Sequence, residues 1–166
     1  MGNERRYKVN KGQEKKAIVL RCPDLRLPGP HKGFISEELG LQGGTYLSLK
    51  RAGGAIALAR AEILPEEFRS LMSEISMFLE LHPEIEYIII INHEDCKKYD
   101  QVVDRKKAPK ENPERSDLLQ AAKVLSSSFP RIQIGAYYAE FADKEQMYVY
   151  FETVFETDPK KSLRKN

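Results

Sequence analysis

A chain of 166 residues has the length of one domain rather than two. Its 27 Lys and Arg against 25 Asp and Glu leave a net charge of +2, without the basic excess of a dedicated nucleic-acid binder. With 41% hydrophobic residues it can fill a core, and its apolar runs, Ile88 to Ile91 among them, fall far short of the roughly 20 residues of a membrane span.

Residues 1–16 are polar, so they read as an N-terminal arm with no apolar stretch of a secretory leader; Arg6 stands where myristoylation needs Ser or Thr. Ala17 to Leu20 is a short apolar run that reads as a buried strand ending at Arg21-Cys22. Residues 23–33, PDLRLPGPHKG, hold three prolines and two glycines, and regular structure is not expected there. Phe34 to Leu39 reads as a short helix closed by Gly40, and Thr45 to Lys50 as a second strand. Gly53-Gly54 break the chain before a helix over 55–61.

Pro65 to Leu81 is the clearest helix. Phe68, Leu71, Met72, Ile75, Phe78 and Leu79 form one apolar stripe, Pro65 suits the first turn, and His82-Pro83 ends it. Tyr87 to Ile91 is β-branched with no alternation, as in a strand buried on both faces. Residues 104–115 form a charged loop, and Ser116 is the expected N-cap of a helix over 117–128, with Leu118, Leu119, Ala122 and Leu125 inward. Ile132 to Ala139 is a fourth strand, Met147 to Phe155 alternates as a half-exposed edge strand, and 157–166 is a basic, frayed tail.

Strands alternating with helices predict an α/β domain spanning 1–166, with a mainly parallel central sheet of about four strands, an antiparallel edge strand and flanking helices. The first and third strands are the most apolar and belong side by side in the centre. Ligands of such sheets bind beyond the carboxyl ends of the central strands, where Cys22 and His93 fall.

Two cysteines are too few for a disulfide scaffold, so reduced thiols in the cytoplasm are expected. Cys22-Pro23-Asp24-Leu25-Arg26 and His93-Glu94-Asp95-Cys96 carry the chemistry. Zinc prefers thiolate and imidazole in a tetrahedral shell. His93 and Cys96 can close on one ion through a turn, Cys22 can join from the neighbouring strand end, and a fourth position remains for water. Asp24 and Arg26 share a face if extended and can form a charge-assisted pair. Asp24 then has two options: to accept a hydrogen bond from a zinc-bound hydroxide while Arg26 holds it, or to leave Arg26 and fill the fourth position.

The other polar residues have plainer readings. Glu94 and Asp95 are expected to cap the helix that follows. His31 and His82 read as surface-loop and helix-end residues, with His31 close enough in sequence to Cys22 for a proton shuttle as the alternative. Gly53-Gly54 matches no phosphate-binding motif, and Lys97-Lys98 and Arg105-Lys106-Lys107 read as solvated loop surface.

C-x-D-x-R followed by H-x-x-C resembles the β-class carbonic anhydrases, and Lys50-Arg51-Ala52-Gly53-Gly54 is similar to the Ala-Gly segment that family places near its metal. In outline the resemblance covers residues 17–155. It implies a zinc cofactor held by Cys22, His93 and Cys96, a catalytic pair Asp24 and Arg26, and reversible hydration of carbon dioxide to bicarbonate by zinc hydroxide. It further implies a homodimer or higher homo-oligomer, while the charge balance and the short apolar runs lead us to expect neither nucleic acid nor membrane as partner. Relatives on this fold hydrolyse carbon disulfide or carbonyl sulfide, so a different small electrophile, or a zinc domain without hydratase activity, is the alternative. Leu25 stands where the family has Ser or Gly, and Lys97 where it has Gly, which predicts an altered or strained backbone at Lys97.

Overall fold

Ile88, Ile89, Ile90 and Ile91 are buried on both faces of a sheet, which is why this stretch shows no alternation. The structure is a computed structural model and describes residues 12–107 and 112–164. The strands are β1 (Ala17–Arg21), β2 (Tyr46–Lys50), β3 (Tyr87–His93), β4 (Gln133–Phe141) and β5 (Val149–Glu156), in the order β2-β1-β3-β4-β5. The first four are parallel, and β5 runs antiparallel to β4 on the edge. β1 and β3 are neighbours, Arg21 opposite Ile91, as the apolar runs predict.

The two faces carry separate cores. Ile18, Leu20, Ile88 and Ile90 pack under α3 (Pro65–Leu81) and α5 (Pro113–Ser128), through Leu71, Ile75, Leu118 and Leu125. On the other side Ala17, Val19, Ile89 and Ile91 share a core with Tyr137 and Phe151 of the same sheet, under Phe34 and Ile35. Each fully buried Ile or Leu contributes about 1.5–3 kcal/mol relative to exposure. The apolar stripe of α3 supplies its buried Leu71 and Ile75, while Met72 and Phe78 lie at the border.

Three local expectations are corrected, and one expected helix gains its bounds. Residues 23–33 are not free of regular structure: α1 (Pro28–Gly33) starts at a proline, whose missing N–H costs nothing in a first turn, and continues as a π-turn over Phe34–Glu38. The helix after Gly54 is shorter, α2 (Ile56–Ala59). The helix expected after Glu94-Asp95 is α4 (Lys97–Val102), which is separated from β3 by three residues. Asn112, not Ser116, caps α5: its side chain accepts from Arg115 N at 3.0 Å, and Pro113 takes the first helical position. Ser116 lies inside the helix and donates to Pro113 O.

Residues 1–11 of the polar arm, 108–111 of the charged loop and 165–166 of the tail lie outside the described residues. The rest of the tail is docked rather than frayed. Arg164 Nε donates to Glu38 Oε2 at 2.9 Å, and its guanidinium lies 5.6 Å from the Phe34 ring centre.

Candidate metal centre

The site forms where β1 and β3 end side by side. The chain leaves β1 at Cys22 next to the Asn92-His93 end of β3. Asp95, in the left-handed region at φ 56°, then turns the backbone so that Cys96 becomes the N-cap of α4. One donor atom from each of Cys22, His93 and Cys96 lies within 4.8 Å of the other two. All three residues are buried, and both cysteines are free thiols.

The donor set fits a tetrahedral ion. The sulfurs are 3.9 Å apart; two thiolates at about 2.3 Å from a tetrahedral zinc would be separated by about 3.8 Å. His93 Nδ1 lies 2.7 Å from Glu94 O, so this nitrogen carries the proton and leaves the Nε2 lone pair facing the cluster. That buried Nε2 has no hydrogen-bond partner, and an orphaned acceptor of this kind fits a ligand position.

A hydrogen bond between the Cys96 and Cys22 sulfurs lowers Cys22 to about 6, opposed by burial and helped by the Gly53 and Asp24 backbone N–H groups. Cys96 is in turn pushed up to about 12 by the same bond and by burial.

Asp24 and Arg26 meet as their spacing predicts. Arg26 Nε donates to Asp24 Oδ1 at 3.0 Å and Nη2 to Oδ2 at 2.8 Å, while Arg26 N also donates to Oδ1. These bonds lower the Asp24 carboxyl to about 2, so it is ionised across the neutral range. Asp24 Oδ2 also lies 3.8 Å from His93 Nε2, beside the donor cluster. Leu25 between them is 93% exposed, so its side chain points away from the site and its bulk costs the site nothing.

Behind the cysteines stands a polar wall that sequence patterns do not reveal. Buried Glu114 accepts from Cys96 N at 3.3 Å and is ion-paired with Arg105, which reaches Cys96 O at 3.5 Å. Buried Asn92 accepts from Ala55 N at 2.9 Å and donates to Glu114 O and Tyr99 OH. Gly54, at φ 57°, allows this approach: a Cβ there would lie 2.5 Å from Asn92 Oδ1. The one signal for Asn92 is a polar residue closing an otherwise apolar strand.

Other expectations change. Glu94 accepts from Phe141 N at 3.0 Å, and Asp95 Oδ2 from Arg26 Nη1 at 3.3 Å, so neither caps α4. Lys97 is an ordinary helical residue, and the strain expected there falls on Asp95. His31 is buried, with Nδ1 3.1 Å from Arg21 Nη1. Burial first, then Arg21, lowers it to about 3, which removes it from proton shuttling near neutral pH. His82 is a helix-end residue as expected.

No protein-family model matches the sequence, and no curated protein is similar to it. Solved structures are similar. A carbonic anhydrase from Glaciozyma antarctica superposes with a TM-score of 0.54 at 20% identity, over 93% of this chain and 89% of that one. β-Carbonic anhydrase isoform I from Trichomonas vaginalis gives 0.53 at 14% identity, over 94% and 91%. A tetrameric β-carbonic anhydrase from Sordaria macrospora gives 0.52 at 13%, over 89% and 84%. The chain therefore has the β-carbonic anhydrase fold, a parallel sheet with one antiparallel edge strand. Within that fold it carries a Cys-His-Cys cluster of metal-ligating geometry.

Proposed function

We propose that the protein is a zinc-dependent carbonate dehydratase that interconverts carbon dioxide and bicarbonate. The observation that carries this reading is the convergence of Cys22, His93 and Cys96 at the strand ends of this fold, beside a carboxylate held by an arginine. Cys22, His93 and Cys96 would hold the ion, whose chemistry when bound is to acidify a water and so supply a nucleophile near neutral pH. The two thiolates balance the ion's charge, and the proton on His93 Nδ1 stays with Glu94 O, which fixes the ring.

Asp24, ionised and fixed by Arg26, offers Oδ2 as the acceptor that orients the reacting water's O–H. Arg26 prevents that oxygen from swinging freely. Glu114 and Arg105 hold the Cys96 backbone from behind. Dimerisation or higher homo-oligomerisation, through the edge strand with its exposed Tyr150 and Tyr148 just before it, belongs to the same reading, as does a reducing, cytoplasmic setting. Among the described residues no helix is long and apolar enough to cross a membrane.

The test is metal analysis of the purified chain together with stopped-flow hydration of carbon dioxide. Stoichiometric zinc and a hydration rate are expected, the rate rising between about pH 7 and 9, because two thiolates donate more charge than imidazoles and keep the water more basic. Cys22→Ser should lose zinc and rate together. Zinc without hydration would support the binding role or another small electrophile instead, and a chain with no zinc would end the reading.

A further inference from the structure

Arg26 is held more completely than a salt bridge to Asp24 requires. Its five N–H groups are all used: Nε and one Nη2 proton on Asp24, the other Nη2 proton on Asp95 O, and the two Nη1 protons on Asp95 Oδ2 and Gln146 Oε1. Below it the Phe141 ring centre lies 4.8 Å from the guanidinium carbon. Gln146 makes the closer of the two Nη1 bonds, at 2.8 Å against 3.3 Å for Asp95. It comes from the turn between β4 and β5, distant in sequence from Asp24, Arg26 and Asp95.

Two non-glycine residues among those described have a left-handed backbone, Asp95 and Gln146, both at φ 56°. Both spend that conformation on Arg26 Nη1. The turn is anchored independently of Arg26, since Asp143 accepts from Met147 N and Tyr148 N at 2.9 and 3.0 Å. A strained residue kept by a well-anchored turn and aimed at one guanidinium marks a positioning contact.

We propose that Gln146 is a positioning residue for the Asp24–Arg26 pair, a clasp from the β4–β5 turn that keeps Arg26 on Asp24 and so keeps Asp24 Oδ2 off the position at the metal where substrate would stand. The proposal rests on the metal reading of Cys22, His93 and Cys96. Asp24 Oδ2 both accepts from Arg26 at 2.8 Å and lies 3.8 Å from His93 Nε2, so a loosened arginine frees the oxygen nearest the cluster.

The experiment uses the chain loaded with cobalt(II) in place of zinc, with thiocyanate binding at the open position read from the visible spectrum. Gln146→Gly removes the acceptor while glycine takes the left-handed backbone without strain, so the turn persists. This variant should bind thiocyanate about tenfold more weakly, the scale of one hydrogen bond to a charged group. Gln146→Glu, which keeps an acceptor, should restore the affinity. In an Asp24→Ala background Gln146→Gly should change nothing, because no carboxylate is left to compete. Unchanged affinity in the single variant, or a loss that persists without Asp24, overturns the clasp while leaving the metal reading intact. A chain that takes up no cobalt overturns the metal reading and the clasp with it.

Discussion

Asp24 Oδ2 faces two groups at once, Arg26 Nη2 at 2.8 Å and His93 Nε2 at 3.8 Å. The guanidinium is the stronger claim in the described structure, since it makes two side-chain bonds to the carboxylate and lowers it to about 2. Asp24→Ala removes an acceptor and no ligand from the Cys-His-Cys cluster. We expect zinc content to be unchanged and the hydration rate to fall by about 100-fold or more, the scale of a positioned proton acceptor. Metal analysis beside stopped-flow hydration reads both; loss of zinc would make Asp24 a ligand, and an unaltered rate would remove it from the chemistry. Cys22, Asp24, Arg26, His93 and Cys96 are legible in the sequence because each belongs to a short motif at a strand end. Gln146 is not, because its part depends on the return of β5 beside β4, a pairing between segments far apart in the chain.

At the scale of the elements, secondary structure is legible wherever burial imposes a pattern, continuous or periodic. The β-branched run of β3 and the stripe of α3 identify themselves, and the adjacency of β1 and β3 follows from both being buried on two faces. The structure of residues 23–33 is not legible, because Pro28 and Pro30 read as breakers when they occupy a first turn that has no use for their N–H groups. The start of α5 is hidden for the same reason: Asn112-Pro113 reads as loop, yet it is a cap followed by a first-turn proline. That start matters to the site, since it carries Glu114 beneath Cys96. Glu114 is 2% exposed and paired with Arg105, so its removal leaves the Cys96 amide and one arm of Arg105 without an acceptor. Glu114→Gln keeps the shape and one acceptor but loses the charge. It should weaken zinc retention by about 10- to 100-fold and lower stability by about 1–3 kcal/mol. Chelator competition reads the first and urea unfolding the second. A variant that loses stability but keeps its grip on zinc would make the wall structural only.

For the whole molecule, α1 and the π-turn after it cover one face of the sheet through Phe34 and Ile35 while α3 and α5 cover the other, and the site lies at the strand ends between these layers. His31 sits inside the first of these layers, with its ring 6.0 Å from Phe151 and its Nδ1 against Arg21. Burial and the neighbouring guanidinium, then His93, hold it at about 3, with Asp24 pulling weakly the other way. The unfolded chain would protonate this imidazole near pH 6.5. Between those two values the unfolded state carries a proton that the folded state refuses, so acid favours unfolding. The His31 contribution is therefore complete above about pH 6.5, and it declines as pH falls toward the folded value of about 3. The slope approaches about 1.4 kcal/mol per pH unit for one proton. Asp24, lowered by Arg26 to about 2, adds its own loss only below about pH 4. His31→Gln keeps an acceptor for Arg21 and cannot titrate. We expect it to be less stable than the parent at neutral pH, with the gap narrowing as pH falls from about 6.5 to 4. Urea unfolding of both chains across that range measures the difference, in which the pH dependence of the shared cysteine cluster cancels. A gap that stays constant with pH would mean that the folded chain accepts a proton on His31 as readily as the unfolded one, and that α1 opens to water in acid rather than holding its histidine neutral.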